Sequence, residues 1–468
     1  MSFRTKPAHI AVLATLSRHV DRWFQHDLTT FGGAITMKKT ILVQAIIAAI
    51  VAAPLTALAS EADLLQRIEK LAAELEKVKA ELLATRQKTE TVEKRQDALA
   101  AKAPVSVDSP SVSNVSVGPQ TVITGYGEVN YNRPRRDPSQ AQTDVRRAVI
   151  GFQHRFDDKT KLVTEFEWEH AVTSASDAGE AEVEQLYIER EFDSGLRAKA
   201  GLFLMPVGLL NTSHEPTAYY GVERNFVETA IIPSTWREAG LGLSSTLDNG
   251  LTWDLGLTTG FDLTKWDAAS TEGRESPLRS IHQEGQLAKS RNLSVHAALN
   301  WRGVPGLLLG GSIFTGNASH ATANFAAPDA RVTLGDLHAR YTPGRWDLSG
   351  VYARGTITNT DALNLTFVGN PTPVPSSFSG WYAQAAYKVW KSGDYTLTPF
   401  VRYDQYNTAK SYSSVPLGLG VPTGPDERVV TLGASLRLGE GVVLKADYQK
   451  FREDNTRDRL NLGLGYAF

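Results

Sequence analysis

Three segments of the chain place ionisable side chains at alternate positions, so that charges of one sign project from one face of each segment. These residues are Arg147 and Arg155 in the first segment, Glu165, Glu167 and Glu169 in the next, and Arg197 and Lys199 in the third. Opposite charges on neighbouring walls of a water-filled space set up a transverse field that orders water and solutes. An equally supported alternative is that these charges pair across adjacent strands.

A second polar region is the longest connection of the chain, residues 205–236. Its charged and aromatic side chains are His214, Glu215, Tyr219, Tyr220, Arg224, Glu228 and Trp236, and Arg237 follows at the start of the next segment. A connection of this length can fold inward and narrow a pore. We therefore predict that His214, Glu215, Arg224 and Arg237 shape a constriction.

No catalytic or metal-binding motif accompanies these residues. His214 and Glu215 are followed at once by Pro216, which prevents the helix of an HExxH zinc site, and no second histidine lies four residues away. Gly125 and Gly127 lack the following helix of a dinucleotide-binding loop. A serine and a histidine brought together across strands would escape such a search. We predict no catalytic residue, no metal ligand and no cofactor.

The elements that must position these residues are sixteen strand-like segments from Thr121 onward, each of about ten residues, the length that a tilted strand needs to cross a bilayer. Tight turns are predicted at 157–158, 193–194, 248–249, 302–304, 342–343, 391–393 and 439–440. Longer connections are predicted at 132–144, 172–181, 205–236, 262–290, 316–330, 356–378, 407–427 and 453–458. This asymmetry is typical of an up-and-down barrel with short periplasmic turns and long extracellular loops.

Alternation within the segments supports a membrane-spanning barrel. The last segment places Leu460, Leu462, Leu464, Tyr466 and Phe468 on one face and polar or small residues on the other. Two further segments show the same alternation. Val295 and Val401 lie on the apolar face of their segments, and the neighbouring His296 and Arg402 lie on the other face, which we assign to water. A soluble sandwich also has one dry face, but aromatic residues near the strand ends favour a lipid-facing barrel. We assign Tyr466 and Phe468 to an assembly signal.

Composition agrees with this fold class. The 468 residues include no cysteine and only three methionines. The mean hydropathy of −0.24 is too low for a helical membrane protein. Met37, two lysines, an apolar run and Ala57-Leu58-Ala59 predict a signal peptide over 37–59. We interpret residues 1–36 as an upstream extension outside the mature product.

A heptad seam follows the predicted cleavage site. Leu64, Ile68, Leu71, Leu75, Val78 and Leu82 are spaced four and three residues apart in turn, with charges at the flanking heptad positions. We predict a periplasmic coiled coil over 60–102 that favours a trimer, the alternative being an amphipathic helix packed on a globular domain. Residues 103–120, rich in Pro, Ser and Val, are predicted to form a linker.

The region that surrounds the polar connection resembles a known family. Gly201-Leu-Phe-Leu-Met-Pro-Val-Gly208, His214-Glu-Pro216, Glu223-Arg224 and Ile231-Ile-Pro-Ser-Thr-Trp-Arg-Glu238 are similar to the phosphate-selective porin O and P family. The resemblance covers residues 121–468 and implies a sixteen-stranded trimeric porin whose third loop constricts the channel. The arginine ladder of that family's phosphate-selective members is not matched residue by residue, which favours a less selective channel.

The sequence therefore predicts an all-β protein, a 16-stranded antiparallel transmembrane β-barrel preceded by an N-terminal α-helical coiled coil. The predicted function is passive diffusion of small hydrophilic solutes or ions, among them anions such as phosphate, through an outer-membrane homotrimer. Predicted partners are outer-membrane lipid, the barrel assembly machinery and the diffusing solutes, with no nucleic acid. The alternative is an envelope tether, in which the coiled coil binds the cell wall or a periplasmic protein and the barrel is an anchor.

Overall fold

A computed structural model describes residues 120–174, 176–413, 420–421 and 423–468. The predicted upstream extension, signal peptide and coiled coil, and all but the last residue of the predicted linker, lie outside the described residues.

Alternating polar and apolar residues form one antiparallel sheet of seventeen strand segments. They are β1 (Gln120–Pro134), β2 (Gln142–Arg155), β3 (Thr160–Glu169), β4 (Ala181–Glu191), β5 (Arg197–Leu204), β6 (Arg237–Thr246), β7 (Leu251–Thr258), β8 (Ser294–Val304), β9 (Leu307–Asn317), β10 (Arg331–Tyr341), β11 (Trp346–Thr358), β12 (Pro375–Tyr387), β13 (Trp390–Ser392), β14 (Tyr395–Tyr412), β15 (Glu427–Leu438), β16 (Val442–Phe451) and β17 (Arg459–Ala467). Because β12 and β13 both pair with β14, they are two parts of one barrel strand. The sixteen predicted strands are confirmed.

The sheet closes on itself through its first and last strands. In the ladder between β1 and β17, Tyr126 lies opposite Ala467 and Pro134 lies opposite Arg459. Beyond this ladder, the backbone N–H of Gly125 donates to the carbonyl of Phe468 at 3.1 Å, and the N–H of Phe468 donates back at 2.9 Å. Closure leaves no free strand edge in the bilayer, where an unpaired peptide group would be costly.

Short and long connections alternate around the barrel as predicted, but several loops are shorter than expected. β1 extends to Pro134, β11 to Thr358 and β14 to Tyr412, so the predicted connections 132–144, 356–378 and 407–427 are too wide. Antiparallel pairing continues past the length needed to cross a bilayer, because paired backbone groups remain satisfied in the longer hairpins.

Helical structure is confined to the connections. The α-helices are Glu272–Glu275 and Asp361–Thr366, a π-helical turn spans Val227–Ile231, and 3₁₀ turns span Pro138–Gln140, Leu263–Lys265, Arg279–Ile281 and Asn455–Arg457. Among the residues that the structure describes, no helix combines the length and apolar character needed to span a bilayer.

The two faces of the sheet have opposite polarity. Along β17 the side chains of Leu460, Leu462 and Leu464 are 40 to 46% exposed. Asn461, which projects from the opposite face of the strand, is fully buried. In β14, Val401 is 43% exposed and the neighbouring Arg402 only 2%. Exposed apolar residues outside and buried charged residues inside are the reverse of a soluble sandwich core. They are expected where lipid covers the outer face of a barrel.

Candidate functional site

The connection between β5 and β6, residues 205–236, lies inside the barrel, and we call it the lumen loop. Its two ends are joined, since the N–H of Met205 donates to the carbonyl of Trp236 at 2.9 Å. The Asn211 amide bridges the same ends by donating to both carbonyls at 2.8 Å and accepting from the N–H of Trp236 at 2.7 Å. One buried amide thus closes the loop at its base.

Apolar packing holds the base of the lumen loop against the barrel wall. The Trp236 ring is fully buried, with its centroid 5.0 Å from that of Phe261 and 4.7 Å from that of Phe314 in β9. Val227 and Ile231 of the π-helical turn are also fully buried. This apolar cluster occupies part of the lumen.

Carboxylates of the wall bind the tip of the lumen loop. The contacts are Glu128 to the Tyr219 hydroxyl at 2.8 Å, Asp447 to the Val222 N–H at 2.6 Å, and Asp404 to the Phe226 N–H at 3.0 Å. Arg402 adds two weaker hydrogen bonds to loop carbonyls, at 3.4 and 3.3 Å. Backbone donors that would lose water inside the barrel are thereby satisfied, and the loop is fixed on three strands.

Glu228 stabilises the lumen loop from within. Its Oε1 accepts hydrogen bonds from the backbone N–H groups of Leu209 and Leu210, both at 2.6 Å, and its Oε2 accepts from the Asn225 amide at 2.7 Å. Burial raises the pKa of this carboxyl above its ordinary value, although the hydrogen bonds to the carboxylate oppose that shift.

The structure brings two of the four predicted constriction residues together. Arg224 is buried and donates to the Thr235 hydroxyl at 3.1 Å and to the His214 carbonyl at 3.3 Å. Glu215, next to His214, is half-buried and its side chain makes no hydrogen bond within the described residues.

The fourth of these residues, Arg237, lies at the start of β6. Its guanidinium is 2% exposed and forms ion pairs with Glu182 of β4 and with Glu284, 3.3 Å away, in the connection between β7 and β8. Arg237 is therefore held by two carboxylates, one from strand β4 and one from the connection between β7 and β8.

The predicted charges of β2 and β3 meet across neighbouring strands. Arg147 is buried, with its Nε atom 2.9 Å from Glu128 and its Nη1 atom 3.4 Å from Glu167. Glu169 lies opposite Arg147 in the strand register, whereas Arg155 lies opposite Lys161 at the exposed strand end. The charges nearest the lumen loop thus form ion pairs, as the cross-strand alternative expects.

The predicted charges of β5 and β14 are Arg197, Lys199 and Arg402, and each has acidic residues nearby. Arg197 lies opposite Glu191 and Lys199 opposite Glu189 in the ladder between β4 and β5. The Lys199 ammonium also lies 4.2 Å from the centre of the Phe203 ring. Arg402 in β14 bonds to Asp404 on its own strand, with 2.9 Å between Nε and Oδ2.

A cavity of about 870 Å³ lies between the wall of β2 to β4 and the connection that links β7 to β8. Its basic lining residues are Arg146, Arg147, Arg237, Lys265 and Arg279; its acidic ones are Glu167, Glu169, Glu180, Glu182, Glu272 and Glu284; His170 and His282 complete the ionisable set. A second cavity of about 990 Å³ shares Glu272 and Arg279 with the first. Both signs of charge are therefore present in similar numbers along this polar space.

Several residues of this site were not predicted. Glu182 and Glu184 lie two residues apart in β4, as the predicted charges of β3 do. This alternation could have predicted that both side chains face the lumen. Asp404 and Asp447 bind loop groups more than 170 residues away in sequence, and no local pattern reveals such partners.

The residues of the predicted assembly signal lie on the outer face of the closing strand. Phe468 is 72% exposed and Tyr466 is 38% exposed, and their rings stack with 6.4 Å between centroids. They border the seam where β17 meets β1.

Known proteins resemble this chain in sequence or in fold. An uncharacterized protein of Aquifex aeolicus (strain VF5) is 29% identical over 342 residues, covering 71% of this chain and 75% of the relative. The structure of Salmonella typhi OmpF in complex with daunomycin covers 76% of this chain and 100% of its own, with a TM-score of 0.53 and 13% identity. The anion-selective porin from Comamonas acidovorans covers 75% of this chain and 100% of its own, with a TM-score of 0.46 and 12% identity.

The likeness to OmpF supports the barrel fold seen here. Residues 120–434, well over half of the chain, match the protein family described as phosphate-selective porin O and P. This family and the closed barrel of sixteen strands are those of an outer-membrane channel rather than an enzyme. The chain therefore belongs to the phosphate-selective porin O and P family of porins.

Proposed function

We propose that the protein is a passive channel for small hydrophilic solutes and ions, including inorganic anions such as phosphate. The observation that carries this proposal is the lumen loop, folded into a closed barrel beside a polar cavity. A loop fixed to the wall by Glu128, Asp404 and Asp447 narrows the lumen and leaves a polar cavity beside its apolar packing. Such a lumen favours the diffusion of hydrated solutes.

The charges along the cavity favour weak rather than strict ion selectivity. Arg147 and Arg237 supply positive charge, but each is paired with glutamates of the wall or of a neighbouring connection. A paired arginine presents a smaller net field to a passing anion than an unpaired one. We therefore propose that phosphate and other small anions pass without exclusion of cations.

Reconstitution of the purified protein in a planar bilayer tests this function. We expect stepwise conductance in potassium chloride, and a change in current when phosphate replaces chloride as the only anion. In liposomes, entry of small sugars should cause swelling that empty liposomes lack. Absence of both conductance and swelling from correctly folded protein would contradict the channel proposal.

We further propose that the functional unit is a homotrimer. The heptad seam of residues 64–82 and the properties implied by the family resemblance support three chains. The measurements are the mass of the detergent-solubilised protein by light scattering and the closing pattern in bilayers. Three equal closing steps are expected, whereas a mass of one chain would exclude the trimer.

We also propose that the barrel assembly machinery recognises the closing strand through Tyr466 and Phe468. Their outward exposure leaves both rings accessible before β17 pairs with β1. Phe468→Ala should slow formation of the heat-modifiable folded barrel in cells, while refolding into detergent in vitro stays unchanged. Equal slowing in both settings would point to an intrinsic folding defect instead.

A further inference from the structure

Three potential metal ligands from three separate elements meet beside the lumen loop. They are Glu165 of β3, Glu184 of β4 and His214 of the loop, and one ligand atom from each lies within 4.8 Å of the other two. Glu184 is fully buried and His214 is 3% exposed, whereas Glu165 is half-buried. No local sequence motif links these residues, which explains why the sequence predicted no metal ligand.

A β-bulge turns Glu184 toward this cluster. In the ladder between β3 and β4, Glu165 lies opposite Gln185 and the next residue, Phe166, lies opposite Val183. Glu184 consequently has no partner in the ladder. A bulge reorients the extra side chain and is frequent beside functional sites. The Gln185 amide, next to the bulge, donates a hydrogen bond to Glu165 and holds that carboxylate in place.

The His214 ring presents a lone pair to this cluster. Its Nδ1 atom lies 3.0 Å from the carbonyl oxygen of Asn211, and because a carbonyl only accepts, Nδ1 carries the proton. In the neutral ring, Nε2 is then unprotonated. An Nδ1–H bond to a backbone carbonyl is the usual way in which a metal-binding histidine is oriented.

Nε2 of His214 faces another acceptor. It lies 2.7 Å from Glu184 Oε1, an oxygen that is buried without a hydrogen-bond donor among the described residues. The Tyr126 hydroxyl lies 2.7 Å from Nε2 and 3.0 Å from Glu184 Oε2, but its single proton can be donated to only one of them. Two lone pairs at this distance repel each other, so the contact needs either a second ring proton or a metal cation between the two atoms.

The charge of the cluster favours a divalent metal ion. Arg147 and Arg237, which lie near the Glu184 carboxylate, form their ion pairs with other glutamates. Glu165 and Glu184, when ionised, carry two negative charges, which a divalent cation would neutralise. Uncompensated buried charge is costly. The divalent ion therefore fits the surroundings better.

We propose that Glu165, Glu184 and His214 bind a divalent transition-metal cation that fastens the lumen loop to the barrel wall. One imidazole nitrogen and two carboxylate oxygens suit Zn²⁺. Ligands at zinc distances in a tetrahedral site lie about 3.4 Å apart. Small side-chain rotations would reach that spacing from the present one, by widening the 2.7 Å contact between His214 and Glu184 and keeping Glu165 within the 4.8 Å cluster. Glu165 is half-buried, so solvent reaches this side of the site and can supply a water ligand.

Metal binding would act on the position of the lumen loop. His214 belongs to the loop, whereas Glu165 and Glu184 belong to two adjacent strands of the wall. A shared ion would join these elements more strongly than a single ion pair. The metal-bound channel should therefore show fewer fluctuations of its open current than the metal-free channel.

Direct binding measurements on the full folded chain test the site. The protein in detergent is stripped with EDTA and titrated with Zn²⁺ alone by calorimetry, with metal content checked by mass spectrometry. One Zn²⁺ per chain is expected for the wild type and for His154→Ala, a half-buried histidine near the end of β2 that serves as the matched control. Binding should be lost in His214→Ala and in Glu184→Gln.

Cobalt provides a second readout, because Co²⁺ held in a site of low coordination number absorbs visible light more strongly and at longer wavelength than hydrated Co²⁺. Should His214→Ala fail to fold, Glu165→Gln changes a half-buried ligand and should still weaken binding and shift those bands. Absence of stoichiometric metal from the wild type, or unchanged binding in all three ligand variants, would overturn the proposal. These measurements do not depend on conductance, so they remain decisive even if the channel proposal fails.

Discussion

The carboxylate of Asp404 joins the barrel wall to the lumen loop by accepting the backbone N–H of Phe226 at 3.0 Å. Its other oxygen accepts the Nε–H of Arg402 at 2.9 Å. Both wall residues are almost fully buried. One strand thus supplies a carboxylate that binds the loop and the guanidinium that balances its charge.

Asp404→Ala should destabilise the barrel and loosen the loop. Removing one partner of a buried ion pair costs about 3 to 5 kcal/mol, because Arg402 is left unpaired. We expect a lower urea midpoint for unfolding in lipid vesicles and a noisier open current in bilayers. Asp394→Ala, at the exposed turn before β14, is the control and should match the wild type. Equal midpoints for both variants would show that Asp404 does not support the loop.

Arg237 and Glu182 should have opposite effects on ion selectivity. They form an ion pair within the same cavity, so removing either charge changes the net charge of the cavity by one unit. Arg237→Gln should shift the reversal potential in a salt gradient toward cation preference, and Glu182→Gln toward anion preference. Each shift should shrink at high salt as screening increases. Identical reversal potentials in the two variants would place this pair outside the conduction path.

The buried carboxyl of Glu228 should make stability depend on pH. Burial raises its pKa above the ordinary value of 4.5, so the folded protein holds this proton more tightly than the unfolded chain. The corresponding stabilisation is complete below pH 4.5 and is lost as the pH rises through the folded pKa. The wild type should therefore lose stability relative to Glu228→Gln as the pH increases above 4.5. Parallel curves of unfolding free energy against pH would contradict this assignment.

Gly201 in β5 should tolerate no side chain. Its φ of +134° is unfavourable for other residues, and an added Cβ would lie 2.3 Å from the Leu186 carbonyl oxygen. Gly201→Ala should cost about 1 to 3 kcal/mol, the typical penalty of such backbone strain. At Gly335 in β10, an added Cβ meets only the Ser312 carbonyl, at 3.5 Å. Gly335→Ala should consequently unfold at the wild-type midpoint, and a similar loss at both positions would refute the strain argument.

Local patterns in the sequence determined the barrel. Residues two apart on a strand share a face, so the alternation of Leu460, Leu462 and Leu464 already marks the lipid side of β17. The same period placed the charges of β2 and β3 on one face. The spacing of turns gave the number of strands, because each crossing of the bilayer needs a similar length. Strand ends were less well predicted, since backbone pairing can continue beyond the membrane.

Only the tertiary structure decided how the charges and the loop are combined. Closure of the sheet brings Asp404 and Asp447 to a loop more than 170 residues earlier, and such contacts leave no periodic signal. The bulge that turns Glu184 toward His214 depends on the register between two strands. Alternation specifies the face of a side chain but not its partner, because the partner is fixed by register, bulges and loop packing.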